Sequence, residues 1–141
     1  MFNYYFDEAR DGHADTVMLF DEIKAGKYDA YTSVYATDEL LQADEPKRSD
    51  MVALISHHNI IVLPGDEEVD RLSGIYINEG VVPASKRFDS LHISVATVSY
   101  LDYIFSFDFK HINRIKTKQM TSIINVREGY RPITIASPSE V

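Results

Sequence analysis

The sequence predicts an α/β fold in which a parallel sheet is covered by helices on both faces. Two observations lead to this prediction: short apolar runs alternate with segments of helical periodicity, and their spacing is near that of one βαβ unit. Strands joined in this way by crossing helices form parallel sheets. With 45% hydrophobic residues in a chain of 141, a substantial core can be buried. We therefore expect one α/β domain that spans residues 1–141.

Four segments are predicted to be strands because they are short, apolar and rich in β-branched and aromatic residues. In chain order they are residues 29–33 (DAYTS), 59–63 (NIIVL), 103–106 (YIFS) and 132–136 (PITIA). We expect these strands to lie in one parallel sheet of at least four strands.

Helices are predicted between these strands. Gly26 ends the first of them, and Asp66 is the expected N-cap of the helix that runs through Asn78. The helix that ends at Ser99 has a broad apolar face, so we expect it to pack against the sheet over much of its surface. The helical segments are residues 15–25, a helix that begins near Val34, and residues 46–57, 67–78 and 88–99.

The charge of the chain is unevenly distributed. Its net charge is −8, which argues against a protein that coats nucleic acid by neutralising many phosphates. Residues 1–85 carry 6 Lys and Arg against 17 Asp and Glu, whereas residues 86–131 carry 8 against 4. The later basic residues form one basic face or are scattered, solvated side chains, and the sequence favours neither alternative. They are Lys86, Arg87, Lys110, Arg114, Lys116, Lys118, Arg127 and Arg131.

The location expected from composition is the cytoplasm. The chain has no cysteine, which excludes disulfides and thiolate metal sites and fits a reducing compartment. No apolar run approaches the length of a membrane span, and the chain does not open with a basic segment followed by a hydrophobic one. Neither membrane insertion nor secretion is therefore indicated.

Three carboxylates are predicted to meet at the carboxyl ends of the strands, where sites form in open parallel sheets. Asp108 follows the strand YIFS, Asp89 begins the helix that feeds the same strand, and Glu39 lies on the helix that follows DAYTS. Such hard oxygen ligands suit Mg²⁺ or Mn²⁺, and a bound metal can activate a water that attacks a phosphodiester. The alternative for each residue is a helix cap or a solvated side chain, which spacing alone favours.

Four segments give the chain a resemblance to a known family. They are TSVYATDEL (32–40), FDSLHISVA (88–96), DYIFSFDFKHI (102–112) and GYRPITIASPSEV (129–141). In this order they resemble the PIN-domain family, in particular the branch related to VapC-type toxins of bacterial toxin-antitoxin pairs. The resemblance implies a three-layer α/β/α fold with a mainly parallel central sheet. It also implies a ribonuclease site that depends on Mg²⁺ or Mn²⁺.

The resemblance assigns roles to individual residues. It implies that Glu39, Asp89 and Asp108 are the catalytic and metal-binding carboxylates, and that Ser106 helps to hold the loop of Asp108. A homodimer and an antitoxin-like protein partner are also expected from the family.

For a ribonuclease of this kind we expect RNA to lie along the basic later segment. The substrate-binding candidates are Lys110, His111 and Arg114. The alternative for Lys110 and His111 is that they only cover a short helix.

The resemblance is incomplete at the start of the chain. Members of the family open with a short strand that ends in an aspartate, and this strand is central in their sheet. Here Met1 stands directly before FNYYFD (2–7), which resembles the segment that follows that strand. We therefore expect the first strand and its carboxylate to be missing from this sequence. Truncation is favoured over loss, because the aromatic residues that follow the strand are kept.

Two functions of different classes follow from these expectations. The first is a PIN-type ribonuclease that hydrolyses RNA phosphodiester bonds and acts as the toxin of a toxin-antitoxin pair. The alternative is a catalytically impaired PIN-like protein that acts through protein-protein contacts. A phosphate-binding receiver-type domain is a more distant third.

Overall fold

The computed structural model describes residues 1–140 and shows a mixed α/β class. In the described part of the chain, no helix is both long and apolar enough to span a membrane. Short 3₁₀ turns lie at Ala84–Lys86 and Pro138–Glu140. The helices and strands follow one another as α1 (Phe2–Phe6), α2 (His13–Lys24), β1 (Tyr31–Ser33), α3 (Val34–Leu41), α4 (Lys47–His57), β2 (Ile61–Leu63), α5 (Glu67–Asn78), α6 (Arg87–Val98), β3 (Tyr103–Phe105), α7 (Ile115–Arg127) and β4 (Thr134–Ala136).

Most of the predicted elements are confirmed. Each of the four predicted strands contains an observed one, and the predicted helices correspond to α2 to α6. Asp66 caps α5 as expected, since its Oδ1 accepts the N–H of Val69 at 2.8 Å. The long helix that the sequence patterns do not predict is α7.

The chain divides into two compact units. The first is Met1–Pro64, with α1 to α4, β1 and β2. The second is Gly65–Val141, with α5 to α7, β3 and β4. That the chain forms one domain over residues 1–141 stays a prediction.

The strands pair in parallel, as predicted, but in two separate sheets. In the first unit β1 pairs with β2, with Thr32 beside Val62. In the second unit β3 pairs with β4, with Ile104 beside Ile135. Residues 1–140 therefore do not form the expected single sheet of at least four strands. The reason is that each strand there has a strand partner along one edge only.

In the first unit, β1 runs directly into α3. Ser33 Oγ accepts the N–H of Ala36 at 3.1 Å and so caps the helix, as serine commonly does at an N-cap. The cap fixes the residue at which α3 begins, and with it the position of Glu39 on that helix. The apolar core of this unit consists of Leu19, Phe20, Leu40, Met51 and Leu54.

In the second unit, small hydroxyl side chains join α5 to α6. Ser73 Oγ donates to Ser90 Oγ at 2.9 Å, and Ser90 Oγ donates to the Ser73 carbonyl at 2.8 Å. Ser94 Oγ donates to the Val69 carbonyl at 2.6 Å. All of these residues are buried. Because each buried hydroxyl has a partner, the short side chains allow close approach of the two helices without unpaired polar groups.

Helix α7 has its polar face inward. Thr117, Thr121 and Asn125 follow one another at four-residue spacing and are fully buried, whereas Ile115 and Ile123 are 73% and 68% exposed. Ile124 is buried as well, so the inward face mixes polar and apolar side chains, unlike the apolar stripe of a typical surface helix. This mixture explains why apolar periodicity does not predict α7.

A buried triad of polar side chains accounts for part of this inward polar face. Asn125 Oδ1 accepts the Tyr76 hydroxyl, and Asn125 Nδ2 donates to Thr97 Oγ1 at 3.1 Å. The Tyr76 hydroxyl also lies 3.3 Å from Thr97 Oγ1. Burial raises the pKa of Tyr76 to about 12, so the phenol stays protonated and donates. Since its members come from α5, α6 and α7, the triad ties these three helices together.

Arginine and glutamate side chains join the exposed ends of α5 and α7. Arg71 lies 2.7 Å from Glu68 and 2.8 Å from Glu128, and Tyr130 donates its hydroxyl to Glu68 Oε1 at 2.5 Å. Hydrogen bonds from Arg71 and then from Tyr130 lower the pKa of Glu68 to about 2. Solvent and salt screen the pair of Arg71 and Glu68, whose side chains are 47% and 38% exposed.

Replacing Tyr76 by phenylalanine removes one hydroxyl from the triad and keeps the ring. Asn125 Oδ1 then loses a buried donor, and we expect the free energy of unfolding to fall by about 1 to 3 kcal/mol. Urea unfolding followed by circular dichroism measures this change. Tyr100→Phe, at a tyrosine that is 56% exposed, should change it by less than about 0.5 kcal/mol. Equal stability of the two variants would contradict a structural role for the triad.

Acid should weaken the second unit through Glu68. A carboxylate whose pKa is lowered by folding stabilises the fold above its ordinary pKa and loses this contribution as the pH falls. For Glu68 the window runs from about pH 4.5 down to about pH 2. Glu68→Gln should therefore lower the melting temperature at pH 7 and have little effect at pH 2.

Thermal unfolding of wild type and Glu68→Gln across this pH range is the measurement. Glu67→Gln, at the neighbouring position of α5, is the matched control. A difference in melting temperature that is the same at both ends of the range would rule out the ionised Glu68 as its source.

Candidate functional site

The turn that follows β3 carries Asp108. The pairing of β3 with β4 continues into this turn, because the Ser106 N–H donates to the Ala136 carbonyl at 2.9 Å. Ser106 Oγ in turn accepts the N–H of Asp108 at 3.0 Å. Ser106 therefore holds the start of the turn, residues 106–108, at the carboxyl end of β3.

Asp108 stabilises the turn with its own side chain. Its Oδ1 accepts the N–H of Lys110 at 3.1 Å and that of His111 at 2.9 Å. Its carbonyl accepts the N–H of Asn113 at 2.7 Å. Aspartate side chains commonly bind main-chain N–H groups a few residues further on. The main chain therefore orients the carboxylate, and Oδ1 is committed to the turn.

Two polar side chains attach the turn to the rest of the second unit. Asn113 is buried, and its Nδ2 donates to the Ser106 carbonyl at 3.1 Å and to Glu140 Oε1 at 3.2 Å. Thr117, on the first turn of α7, donates its hydroxyl to the His111 carbonyl at 2.5 Å. The turn is thus attached both to the segment after β4 and to the start of α7.

Glu140 lies beyond the carboxyl end of β4, and no sequence motif predicts a site role for it. Its Oε1 accepts the Ser137 N–H at 2.9 Å and the Ser137 hydroxyl at 2.7 Å. Hydrogen bonds from Ser137 and then from Asn113 lower the pKa of Glu140 to about 2, so the group is a carboxylate at neutral pH. The sequence does contain a signal: serine followed three residues later by glutamate is the pattern of a capping box.

Asp89 lies in the first turn of α6 and is half-buried. A carboxylate is favoured there by the helix dipole, which is the structural alternative to a metal-binding role. The next residue, Ser90, is buried against Ser73 of α5. This contact fixes the rotation of α6 about its axis and so the side of the helix on which Asp89 lies.

Glu39 lies on α3 in the first unit, whereas Asp89 and Asp108 belong to the second. The residue is exposed. Burial and the charge of Arg10 lower the pKa of the Met1 amino group, and the charge of Glu39 opposes them by raising it. Glu39 is therefore within electrostatic reach of that amino group. Its proximity to Asp89 and Asp108 stays a prediction.

The predicted metal ligands are suitable in chemistry but are not gathered within one unit. In residues 1–140, no cluster of three or more histidine, cysteine, aspartate or glutamate side chains could hold a metal ion. The carboxylates of Glu39, Asp89 and Asp108 are hard oxygen donors of the kind that Mg²⁺ and Mn²⁺ prefer. In Asp108, Oδ2 is the atom that would face such an ion, because Oδ1 accepts two main-chain N–H groups. Metal binding by these residues stays a prediction.

The predicted substrate-binding residues lie in the turn or next to it. Lys110 is exposed and His111 is half-buried. Arg114 directly precedes α7, and its Nε donates to Thr117 Oγ1 at 3.2 Å. Contact of these three residues with RNA stays a prediction.

Several basic residues of the later segment have carboxylate partners. Lys118 Nζ lies 3.8 Å from Glu140, Arg131 lies 3.2 Å from Asp102, and Arg127 is also paired. These pairs neutralise part of the positive charge of the segment. That the basic residues share one face stays a prediction.

No protein-family model, curated protein or solved structure matches the chain. The relation to the PIN-domain family therefore rests on the four sequence segments and stays a prediction.

Replacing Asp108 by alanine removes the acceptor for two main-chain N–H groups. The turn should open more often, and amide hydrogen exchange at Lys110 and His111 should become about tenfold faster or more. Asp108→Asn keeps an oxygen at the same place and should raise the exchange rates much less. The measurement is hydrogen exchange followed by NMR.

The control is Asp102→Ala, at the amino end of β3, where the carboxylate pairs with Arg131. This variant should leave exchange in the turn unchanged. Equal exchange rates in Asp108→Ala and wild type would show that the side chain does not hold the turn.

Proposed function

We propose that the protein is a metal-dependent ribonuclease of the PIN-domain type, with the three-layer α/β/α fold of that family. The observation that supports this best is the position of Asp108, whose carboxylate is oriented by the main chain just beyond the carboxyl end of β3. In open α/β sheets this is where active sites form. The proposed metal ligands are Glu39, Asp89 and Asp108.

Mg²⁺ or Mn²⁺, when bound, would lower the pKa of an attacking water and stabilise charge on the leaving oxygen of the phosphodiester. The protein would hold the metal-binding carboxylates in fixed positions. Ser106 and the main chain of the turn hold Asp108, so that Oδ2 is presented in one direction. Lys110, His111 and Arg114 would contact phosphate groups of the RNA.

A further strand is part of this proposal. Each of the four strands has one edge without a strand partner in residues 1–140. Tyr31, Ile61 and Tyr103 on these strands are 39%, 53% and 43% exposed, more than is usual for strands covered on both faces. A further strand that paired along such an edge and ended in an aspartate would add one carboxylate to the proposed metal ligands. Translation of the DNA upstream of Met1 shows whether it encodes a hydrophobic run that ends in Asp-Thr.

The proposal extends to the setting of the enzyme. It describes a cytoplasmic toxin of a toxin-antitoxin pair that forms a homodimer and binds an antitoxin protein. The lack of cysteine supports the reducing compartment. The dimer and the antitoxin rest on the resemblance to the family.

A second candidate function is that of a PIN-like protein that is catalytically impaired and acts through protein contacts. It is favoured by the outward face of α7, where Ile115, Ile123 and Val126 are 73%, 68% and 61% exposed. Exposed aliphatic side chains that lie together on one helix face are typical of interaction surfaces.

Cleavage of a mixed RNA pool in the presence of Mn²⁺ tests the proposed ribonuclease. The chain as it stands should cleave slowly, and the same chain extended by an upstream strand that ends in aspartate should cleave at least about a hundredfold faster. Asp108→Asn in the extended chain should remove this gain. The fold should survive, because the amide oxygen still accepts the N–H groups of the turn.

Asp102→Asn in the extended chain is the matched control, since this carboxylate lies at the opposite end of β3, and it should cleave like its parent. Chelation of the metal should stop cleavage by every form. Strong cleavage by the unextended chain would show that the upstream aspartate is dispensable. No cleavage by any form would favour the second candidate function.

A further inference from the structure

One carboxylate attaches the segment after β4 to the turn after β3. Glu140 Oε1 accepts three hydrogen bonds, from the Ser137 N–H at 2.9 Å, the Ser137 hydroxyl at 2.7 Å and Asn113 Nδ2 at 3.2 Å. Ser137 and Asn113 are only 2% and 4% exposed. Hydrogen bonds from shielded donors to an ionised acceptor are stronger than those between neutral groups in water. Glu140 itself is 44% exposed, so solvent screens part of this interaction, while its two donor residues are shielded.

Asn113 extends this attachment to both ends of the short segment that contains Asp108. Its Nδ2 donates to the Ser106 carbonyl at 3.1 Å, and its N–H donates to the Asp108 carbonyl at 2.7 Å. Residues 106–108 are thus bound to Asn113 at each end, and Asn113 is bound to Glu140. A shift of Glu140 would therefore move Asn113 and, through it, the main chain of Asp108.

We infer that Glu140 and Asn113 are positioning residues for the Asp108 carboxylate. Together with Ser137 they form a clasp that closes the turn at residues 106–113. The clasp fixes the peptide groups to which Asp108 Oδ1 is bonded, and so it fixes the direction of Oδ2. This inference rests on the proposed function, in which Asp108 is a metal ligand.

Glu140 acts by position and not as a further ligand. Its Oε1 already has three donors, which leaves little capacity to bind a cation. Its Oε2 lies 3.8 Å from Lys118 Nζ, whose positive charge competes with a metal ion for the same oxygen. The same hydrogen bonds lower the pKa of Glu140, so this acceptor is ionised at neutral pH.

Amide hydrogen exchange at Lys110 and His111 in the full chain tests the clasp. Glu140→Ala and Asn113→Ala should each speed this exchange by about tenfold, because the turn opens more often. Glu140→Gln keeps an oxygen acceptor and should restore most of the protection. Unchanged exchange in Glu140→Ala would overturn the inference.

The matched control for this exchange is Glu79→Ala. It removes an exposed carboxylate of the same unit, one that pairs with Arg127 in the last turn of α7. Its exchange rates at Lys110 and His111 should equal those of wild type. Faster exchange in this variant as well would mean that any loss of charge loosens the unit, which would overturn a specific role for Glu140.

Titration with Mn²⁺ separates positioning from a purely structural role. The readout is paramagnetic broadening of the Asp108 and His111 NMR signals, which detects weak binding and needs no RNA. Glu140→Ala should need about tenfold more Mn²⁺ than wild type for half-broadening, and Glu140→Gln should be close to wild type. An unchanged Mn²⁺ requirement together with faster exchange would overturn the positioning role and leave the proposed function intact. Absence of broadening in wild type would overturn the proposed function itself, and the positioning role with it, whatever the exchange rates.

Discussion

The packing of the second unit depends on hydrogen bonds between buried side chains of its helices, since a buried hydroxyl or amide without a partner destabilises the fold. Tyr76 comes from α5, Thr97 from α6 and Asn125 from α7, and their buried polar groups are hydrogen-bonded to one another. A rotation or a one-residue slip of any of these helices would separate the three side chains and bury unpaired polar groups. Aliphatic side chains would tolerate such a slip far better, because their contacts have no direction. The polar triad therefore gives the helices one mutual arrangement.

The position of Asp108 depends on the same arrangement. Helix α7 carries Asn125 in the triad and Thr117 eight residues earlier, where the Thr117 hydroxyl binds the His111 carbonyl. A stretch of that length is rigid and spans about 12 Å at 1.5 Å per residue. When the triad places one end of α7, it also places the threonine that holds the turn after β3. The interior of the unit and the candidate site are in this sense connected through one helix.

The sequence predicts those parts of the structure in which local chemistry and tertiary packing agree. The strand segments are β-branched and aromatic, and Asp66 stands where an N-cap is expected, so both are found at the predicted places. Helix α7 escapes prediction because three of its four buried residues, Thr117, Thr121 and Asn125, are polar, whereas several of its apolar residues are exposed. What determines the burial of such a helix is its contacts with residues far away in the sequence, such as those of Asn125 with Tyr76 and Thr97. A local sequence pattern does not reveal these contacts.

In the candidate site, too, local patterns predict some features, and other features depend on contacts between distant residues. Asp108 is found just past a strand end because the strand itself is recognisable, whereas its fixation by Asn113 and Glu140 depends on a pairing across 27 residues. The capping pattern at Ser137 and Glu140 is visible in the sequence, but nothing there says that Asn113 is the third partner. Glu39 lies in the other compact unit, so its relation to Asp108 depends on how the units assemble rather than on any local signal. Spacing along the chain therefore identifies candidate ligands such as Glu39 and Asp108, but it does not predict whether they lie close together in the fold.

The clasp also has a consequence for synthesis of the chain. Glu140 follows Asn113 by 27 residues, which a ribosome adds in about 1 to 5 s, whereas short loops close in well under a millisecond. The nascent chain therefore holds Asp108 and all of β3 for seconds before the acceptor that closes its turn exists. During this interval the carboxylate is only partly restrained, and the turn is among the last parts of the unit to reach its final form. A chain that matures in this order completes the turn around Asp108 only after Glu140 has been added.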